Sequence, residues 1–330
     1  MRILVCFFFV SLFIGLEAQT TDAYYMVRNK NHSGTEIAPA IALNDDEAKQ
    51  VNCYWVSFDS LGFLSTVNYF YAGQASNSGD YGAHEMERIY QEGSYLERFK
   101  DVDGNYTLSR SGIWERKYYC DDAGFWTRRE DYDETGALLK EGPAVCLVQR
   151  NADHEIEVEI NLNAAGDTLR DGNGFKLIHF EYNDDGLATL RENRDLQGKV
   201  INGDQGYSTV VFRFDHNGQF FEEAFKSEHG ELFLHPRFDL AMINWRAFNK
   251  YGKARRIYYM DEKAYPHATR AYAEVYYRKN MSREKLVYFD REGFETTDRN
   301  GVAQVIYNYD SSGSFIGLSR LDLEGKELSH

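Results

Sequence analysis

The sequence predicts an all-β fold, a tandem repeat of antiparallel β-hairpin units of about 32 residues that forms a twisted, coiled meander sheet. Turn glycines recur at alternating intervals of 20 and 12 residues, at Gly166, Gly186, Gly198, Gly218 and Gly230. Apolar and polar residues alternate in the segments before these turns, which is the period of a strand. Because each unit holds a long hairpin, we expect about 16 to 20 strands in the whole array.

The hairpin turns are predicted from an Asp or Asn that stands three positions before a glycine. Such a short side chain can hydrogen-bond the backbone two residues on, and the glycine takes the left-handed conformation that ends a type I turn in a G1 bulge. The predicted turn pairs are Asp59 and Gly62, Asp121 and Gly124, Asn183 and Gly186, Asp215 and Gly218, and Asp310 and Gly313.

Strands are predicted directly before the turns, where apolar side chains stand four and six residues ahead of the glycine, as at Phe212 and Phe214. Residues two positions apart lie on one face of a strand. A β-propeller is the main alternative, since two units would form a four-stranded blade. No longer WD-like or Kelch-like period overlies the repeat, so the meander is preferred.

Residues 1–18 are predicted to be a signal peptide with cleavage after Ala18. A charged start is followed by an apolar run of 14 residues from Ile3 to Leu16. This run falls short of the roughly 20 residues that a membrane-spanning helix needs. The mature protein is therefore expected to be secreted or periplasmic, in association with the cell surface or free of it, with no stable membrane insertion.

Residues 19–53 are predicted to be a divergent or capping N-terminal segment, and residues 54–330 the repeat array. Arrays need atypical ends that shield exposed edges. The run that begins at Asn44 has the Asn and Asp residues that cap the start of a short helix. The array loosens between Gly252 and Gly293, and irregular units are where a repeat protein most often departs from a scaffold role.

The composition excludes some classes of partner. The net charge is −15, and the acidic residues are spread along the chain, which argues against a nucleic-acid partner. Three cysteines follow the signal peptide: Cys53, Cys120 and Cys146. A disulfide between Cys120 and Cys146 and a set of buried free thiols both remain open, and no CxxC or HxxxH spacing indicates a metal site.

For the candidate catalytic and metal-binding residues, a structural role explains the sequence better than a functional one does. The adjacent or alternating carboxylates Glu222 and Glu223, and Glu157 and Glu159, have the chemistry of a glycosidase pair, but carboxylates on a strand usually line a solvated face. His216, His229 and His235 stand in or near neighbouring turns, where histidines are most often exposed polar residues. We therefore predict no catalytic residue, no metal and no cofactor.

Aromatic residues are the better functional indication. Rings on the outward face of a sheet can stack on sugars or anchor a protein partner, whereas rings on the inward face belong to the core or form stabilising cross-strand pairs. The residues predicted to be outward, and to bind a ligand, are Trp114, Trp126, Trp245, Tyr119, Tyr259 and Tyr277.

Three stretches carry a resemblance to a known family: 180–186 (FEYNDDG), 211–218 (VFRFDHNG) and 305–313 (VIYNYDSSG). They resemble the YD-type repeats of RHS-like bacterial surface and secreted proteins, whose core is an aromatic-x-Tyr-Asp-x-x-Gly strand and turn. The resemblance spans roughly residues 54–328, with a longer unit and with Tyr often replaced by Phe or Cys. It implies strand-and-turn architecture and secretion, and it implies no activity.

Three functions follow as hypotheses. The first is a secreted, non-catalytic binding or scaffold protein that engages a cell-surface polysaccharide or a protein. The second is a hydrolase of cell-envelope polymers whose carboxylates converge from separate units, for which a change at an irregular position such as Asp261 or Glu262 would abolish activity. The third, a role associated with toxins or immunity, rests on the YD-type resemblance alone.

Overall fold

The structure, a computed structural model, describes residues 22–29, 37–171, 174–311 and 313–328, without the side chains of 27–29 and 37–40. The predicted signal peptide over residues 1–18 lies outside the described residues. Within the described part of the chain, no helix is long and apolar enough to cross a membrane.

The described residues form 21 β-strands and one helical turn, α1 (Asp45–Ala48). The first strands are β1 (Ala23–Asn29), β2 (Ile37–Leu43), β3 (Cys53–Phe58), β4 (Leu64–Tyr71), β5 (Gln74–Ala75), β6 (Glu85–Gln91), β7 (Ser94–Lys100), β8 (Glu115–Cys120), β9 (Trp126–Tyr132) and β10 (Val145–Arg150). The remaining strands are β11 (Ile156–Leu162), β12 (Leu177–Tyr182), β13 (Ala188–Arg194), β14 (Thr209–Phe214), β15 (Phe220–Lys226), β16 (Met242–Phe248), β17 (Ala254–Met260), β18 (Tyr272–Tyr277), β19 (Arg283–Phe289), β20 (Gln304–Tyr309) and β21 (Phe315–Leu321).

All strands belong to one open antiparallel sheet. β1 pairs with both β2 and β3, β4 pairs with β6, and from β6 onward each strand pairs with its neighbours in the sequence up to β21. The short β5 adds to the end of β4. The predicted all-β hairpin meander is confirmed. The β-propeller alternative is wrong, because propeller blades are separate sheets and these strands share one continuous ladder.

The hairpin turns have the predicted hydrogen bonds, as the turn that begins at Asp215 shows. Oδ1 of Asp215 accepts the N–H groups of Asn217 and Gln219, each at 2.9 Å, and Gly218 has a φ of +69°. The ladder register shifts by one residue beside this turn, which is the bulge. The same side-chain bonds recur from Asp59, Asp121 and Asn183 in the other predicted turns. Asp310 bonds the N–H of Ser314, and positive φ recurs at Gly62, Gly124, Gly186 and Gly313.

The connection between hairpins has two further turns. After β13, Arg194 forms an isolated bridge with Val200 around the turn at Gly198. The chain then turns again, and the N–H of Gly203 donates to the carbonyl of Tyr207 at 2.8 Å. Tyr207, two residues before β14, is fully buried. This unit therefore inserts one residue of the connection into the core ahead of its first strand.

The sheet coils until its first strands lie beside the turns of its last hairpins. The N–H of Asn52 donates to the carbonyl of Asn280 at 2.9 Å, and the Tyr71 ring lies against Gly313. Lys250, in the β16–β17 turn, donates to Glu47 of α1 at 2.5 Å. These contacts join residues about 200 or more positions apart, which requires the accumulated twist of many strands.

The inward face of β6–β9 carries charged side chains among apolar ones such as Met86 and Phe99. Arg88 contacts Glu97 at 2.6 Å, Arg116 lies 3.9 Å from Glu97 and 3.1 Å from Asp131, and the Tyr118 hydroxyl donates to Glu97 at 3.0 Å. Burial alone would raise the pKa of Glu97, but Arg88 and Arg116 hold it below its ordinary value. Glu97 is therefore a buried carboxylate that its two arginines keep ionised.

Candidate functional site: an arginine cluster over one end of the core

Trp126 and Tyr259, predicted to face outward, lie in the core, with exposed fractions of 5% and 7%. Tyr259 pairs with Ile243 on the inward face, while its neighbour Tyr258 takes the outward position. Trp126 follows the β8–β9 turn and pairs with Cys120 beyond the bulge. The predicted outward position is wrong for both rings. At Trp126 the bulge shifts the alternation of faces by one residue, whereas at Tyr259 the outward place belongs to the adjacent Tyr258.

Trp245 and Tyr277 also face inward and pack against the main core. The Trp245 ring lies 4.8 Å from that of Phe220, and the Tyr277 hydroxyl donates to the Ala254 carbonyl at 2.8 Å. The outward prediction is therefore wrong for these two residues as well. Their packing makes them part of the fold.

Tyr119 lies on the outward face and Trp114 is half-buried just before β8. The Tyr119 hydroxyl donates to Glu130 at 2.8 Å, and the Lys117 ammonium lies 4.8 Å from its ring. The Trp114 ring lies 6.3 Å from that of Tyr106. With four of the six predicted rings turned inward, these aromatic residues do not form one binding face.

The candidate carboxylate pair Glu222 and Glu223 is divided between the two faces of the sheet. Glu222 lies 3.2 Å from outward-facing Arg213, whereas Glu223 faces inward, where burial raises its pKa to about 7. Glu159 is buried and accepts a bond from Asn161 at 3.0 Å. Two carboxylates on opposite faces of a sheet cannot act on one glycosidic bond.

The irregular position Asp261 is a turn residue, since its Oδ1 accepts the N–H groups of Lys263 and Tyr265 at 2.9 Å. Among the described residues, no group of three His, Cys, Asp or Glu side chains is arranged to hold a metal ion. The three cysteines are free thiols, and burial raises the pKa of Cys53 to about 12.

The connection between β15 and β16 contains a loop that is one residue longer than its counterparts. The His235 N–H donates to the carbonyl of Leu240, five residues on, whereas the corresponding bond from Gly203 spans four. Asp239 takes a φ of +54° to complete the longer turn. We refer to residues 235–240 as the 235–240 loop.

This loop covers one end of the core through His235. The imidazole is buried, with ring centroids 5.2 Å from Tyr207, 4.8 Å from Phe225 and 4.4 Å from Phe238. Burial and the nearby Arg237 lower the pKa of His235, so the ring is neutral near pH 7. The histidine therefore anchors the loop, and Phe238 stays exposed on its outer side.

Arginines from three connections gather at this loop. Arg270 donates to the carbonyl of Phe238, and Arg299 donates to the adjacent carbonyl of Arg237 at 2.9 Å. Arg291 donates to the carbonyl of Pro266 at 2.9 Å. We name Arg237, Arg270, Arg291 and Arg299 the arginine cluster.

The arginine cluster has no carboxylate partner. In the described part of the chain, none of its four guanidinium groups forms a salt bridge, whereas Arg88, Arg98 and Arg256 each contact a glutamate. Arg237, Arg291 and Arg299 are exposed, and Arg270 is half-buried over the Tyr259 ring at 4.8 Å. Positive charge at this end of the core is therefore held by carbonyls and left open to solvent.

Two carboxylates in the loops of the cluster are already engaged by other groups. Asp239 lies 3.6 Å from Nε2 of His267, and Asp298 accepts the N–H groups of Asn300 and Val302 in its own turn. Burial lowers the pKa of His267, Asp239 opposes this effect, and Arg270 adds to it. His267 is thus neutral near pH 7 and adds no positive charge beside Arg270.

Two exposed aromatic rings stand beside the cluster. Tyr265 and Phe294 are 62% and 70% exposed and occupy the same position, four residues after the first aspartate, in consecutive turns. Consecutive units are two strand spacings apart, about 10 Å. Arg291 bonds Pro266, the residue after Tyr265, so the aromatic and cationic groups share one surface.

The sequence carried a signal for this site that the glycine period did not use. The residue two positions before the first strand of a unit is buried and apolar at Ile113, Phe175, Tyr207, Leu240 and Val302. Arg270 occupies this position before β18. In an alignment of the units with one another, Arg270 would have stood out as a charged residue at a position that is otherwise apolar.

A second surface depression lies between α1 and the β16–β17 turn. This groove of about 800 Å³ is lined by Asp45, Glu47, Lys49 and Lys250, among others. Lys250 pairs with Glu47 across it and Lys49 lies 3.7 Å from Asp46. Four of its five charged side chains form these two ion pairs, so the groove has a weaker binding chemistry than the arginine cluster.

No protein-family model matches the chain, and no curated protein matches its sequence. The crystal structure of TcdB2-TccC3-TEV has 10% identity and a TM-score of 0.28, covering 86% of this chain and 16% of that one. The Tc holotoxin pore of Photorhabdus luminescens has 9% identity and a TM-score of 0.27, with coverage of 88% and 18%. A porin-like protein from Bacteroides uniformis has 9% identity and a TM-score of 0.29, with coverage of 72% and 88%.

The similarity to these Tc toxin chains is weak, and the chain spans less than a fifth of their length. At such TM-scores and identities, the similarity supports no argument about activity. What the chain binds has to be argued from its own surface.

Proposed function

We propose that the protein is a secreted, non-catalytic binding protein that engages an acidic cell-surface polysaccharide through the arginine cluster. The observation that carries the proposal is a set of four arginines without carboxylate partners, gathered at one end of a core in a chain of net charge −15. In so acidic a protein, a cationic surface free of ion pairs is best explained by an anionic ligand from outside the chain.

The guanidinium group suits this ligand. It offers five N–H donors in a planar fork that matches a carboxylate or a sulfate, and a bond to one carbonyl leaves other donors free. Arg270 and Arg299 are held on adjacent carbonyls, Phe238 and Arg237. Because these side chains are already ordered, less conformational entropy is lost when the ligand binds.

The exposed rings provide the apolar surface that a polysaccharide site has beside its charged groups. Tyr265 and Phe294 offer apolar faces beside the cations, and exposed apolar groups rimmed by charge mark interaction surfaces. A polymer of uronic acids or sulfated sugars has both an apolar ring face and a regular row of anions. Such a chain could run across consecutive units and meet ring and guanidinium in turn.

The hydrolase hypothesis has less support. Glu222 and Glu223 point to opposite faces, and Asp261 is occupied by its own turn. The toxin or immunity hypothesis is favoured by no particular contact of this chain. A protein ligand with an acidic surface is the remaining alternative to a polysaccharide at the same cluster.

The proposal is tested by binding of residues 19–330 to three polymers: alginate, a polyuronate; dextran sulfate; and neutral dextran. Saturable binding to the two acidic polymers and none to dextran is the expected result, measured by calorimetry. Reducing ends are assayed in the same samples, and no increase is expected. Equal binding to dextran, or release of reducing ends, would contradict the proposal.

Variants locate the binding. Arg291→Gln with Arg299→Gln removes two exposed cluster charges, and we expect affinity for alginate to fall by about tenfold or more, the loss of one to two charge-assisted bonds. The control, Arg213→Gln with Arg246→Gln, removes two exposed arginines from the outward face and should change affinity less than about twofold. Equal losses in both double variants would indicate a nonspecific charge effect.

A further inference from the structure

We propose that Lys253, Arg278 and Arg283 form a second binding site, which takes a phosphate or sulfate group at the hairpin-turn end of the last units. The three cations come from two consecutive hairpins, β16–β17 and β18–β19, and Tyr307 of β20 adds a hydroxyl beside them. We name these four residues the seam cluster, because the first strands of the coil meet its last hairpins here. The seam cluster lies at the other end of the strands from the arginine cluster and is independent of it.

Arg283 occupies a position that is apolar in the equivalent hairpins. It pairs with Tyr277 beyond the bulge, as Phe220 pairs with Phe214, and Tyr277 and Phe214 pack against the main core. Arg283 therefore starts on the inward face of the sheet. The equivalent residues of the other hairpins are Leu64, Trp126, Ile156, Ala188, Phe220, Ala254 and Phe315.

Arg278 stands at the first position of its turn, where a guanidinium cannot replace the usual acceptor oxygen. The backbone turn persists without it, since the Arg278 N–H donates to the Ser282 carbonyl at 2.9 Å. This hairpin has therefore given up a stabilising bond for a positive charge, and such breaks in a local rule are expected at functional sites. The equivalent acceptors in the other turns are Asp59, Asp121, Asn151, Asn183, Asp215, Asn249 and Asp310.

The seam cluster presents hydrogen-bond donors without a carboxylate. Nη1 of Arg283 donates to the Tyr307 hydroxyl oxygen at 3.4 Å, which leaves the Tyr307 hydroxyl hydrogen for a ligand. The Arg278 guanidinium lies 4.6 Å from the centroid of the Tyr309 ring. Within the described ranges, none of the three cations forms a salt bridge, unlike Lys250 and Arg256 of the adjacent hairpin.

Lys253 is the cation with the least compensation. Burial lowers its pKa, the nearby Arg283 lowers it further, and Asp80 opposes both effects. Asp80 is itself engaged, because it accepts the Tyr54 hydroxyl at 2.8 Å. The Lys253 ammonium makes no hydrogen bond to any residue that the structure describes. Two cations held together without a counter-ion destabilise the folded chain, and a bound anion would remove this cost.

A phosphate or sulfate group fits this set of donors. Its tetrahedral oxygens can accept bonds from a guanidinium fork, an ammonium and a hydroxyl together. The first strands close over this end of the coil, since the Asn52 N–H donates to the Asn280 carbonyl at 2.9 Å and the Tyr71 ring lies against Gly313. A single anionic group, free or esterified to a sugar, therefore suits the seam cluster better than a polymer does.

The test is calorimetric titration of residues 19–330 with inorganic phosphate, inorganic sulfate and glucose 6-phosphate at constant ionic strength. We expect saturable binding at one site. Tighter binding of glucose 6-phosphate would identify a group carried on a sugar, and tighter binding of an inorganic anion would identify a free ion. The absence of saturable binding by all three titrants up to about 10 mM would overturn the proposal.

Lys253→Met separates a binding role from a structural one. Methionine keeps the aliphatic chain without the charge, so affinity for the bound anion should fall by about tenfold or more, the loss of one to two charge-assisted bonds. The midpoint of thermal unfolding without the anion should rise by about 1 °C or more, because an uncompensated buried charge is removed. A lower midpoint with unchanged affinity would show that Lys253 stabilises the fold and would overturn the proposal.

Arg283→Leu keeps the test valid if Lys253→Met fails to fold. It restores the apolar residue of the equivalent hairpins and should lower anion affinity to a similar extent. The control, Lys279→Gln, removes an exposed positive charge from the same turn and should change affinity less than about twofold. Equal losses in Lys279→Gln and Lys253→Met would indicate nonspecific attraction and overturn the site. Alginate binding at the arginine cluster is measured separately, so either proposal can fail alone.

Discussion

Two regions of the molecule are rich in arginine, and they differ in what the guanidinium groups contact. On the inward face of β6–β9, Arg88 and Arg116 meet Glu97 and Asp131 in a buried ladder. In the arginine cluster, each guanidinium that bonds the protein bonds a carbonyl. A carbonyl orients an arginine without cancelling its charge. The first region therefore serves stability, and we propose that the second retains its charge for a ligand.

The largest expected effect is on the buried ladder. Glu97→Gln leaves Arg88 without its carboxylate in the interior, and we expect the free energy of unfolding to fall by about 3 to 5 kcal/mol. Glu87→Gln, on the outward face of the neighbouring strand where Glu87 meets Lys100 at 3.1 Å, should cost less than about 1 kcal/mol. Urea denaturation measures both. Equal losses in the free energy of unfolding would show that burial of the ladder adds no stability beyond that of an exposed ion pair.

A second prediction compares Glu97 with Glu223, an inward-facing carboxyl that forms no salt bridge with an arginine among the described residues. The pKa of Glu223 is raised to about 7 by burial, with Arg191 opposing, whereas that of an unfolded glutamate is about 4.3. Between these values the unfolded state ionises first, so native stability falls as pH rises from about 4 to 7. Glu223→Gln should remove this loss, making the variant more stable at pH 8 by roughly 1 to 3 kcal/mol.

The same comparison predicts the opposite direction at Glu97. Its pKa is lowered in the fold, so its contribution is present above about pH 4.3 and is lost as pH falls through the folded pKa. Thermal unfolding below pH 4 tests Glu97, and thermal unfolding from pH 4 to 8 tests Glu223. A constant difference between Glu223→Gln and the native chain across this range would contradict the account of Glu223.

The hairpin turns connect the strands of both regions. We expect each turn to contribute less to the free energy of unfolding than the buried ladder does. Asp215→Ala removes the side-chain acceptor of two N–H bonds, and we expect a loss of about 1 to 2 kcal/mol in urea denaturation. Asp215→Asn keeps the acceptor and should recover most of this loss. If the Asn variant is as unstable as the Ala variant, charge rather than turn geometry is responsible.

The smallest stability effect is predicted in the arginine cluster itself. Arg299→Gln removes one exposed bond to a carbonyl and should change the free energy of unfolding by less than about 0.5 kcal/mol. Its effect on alginate affinity should be larger than its effect on stability. A variant that unfolds the protein would place Arg299 with the structural arginines of β6–β9.

The sequence was sufficient for the fold because the turn chemistry is local. Asp215 and Gly218 sit three residues apart and define a hairpin by their own bonds, whatever the rest of the chain does. The face of the sheet on which Trp126 lies could not be predicted in this way. A bulge between Tyr119 and Cys120 shifts the register, and alternation read across it assigns the wrong face.

The candidate site could not be predicted from residues that are neighbours in the sequence. Arg299 bonds the carbonyl of Arg237, 62 positions away, and Arg270 reaches the carbonyl of Phe238 across 32. Only the coiled stacking of units brings these residues together. The sequence did mark the irregular stretch from Gly252 to Gly293, and Arg270 lies inside it.

The most direct test of the proposed binding site is hydrogen–deuterium exchange of residues 19–330 with and without saturating alginate. Binding at the arginine cluster predicts slower amide exchange in the 235–240 loop and in residues 265–271. Exchange in the hairpin turn at 215–219, at the opposite end of the strands, should not change. Protection confined to the hairpin turns or to β6–β9, or no protection at saturation, would contradict the assignment.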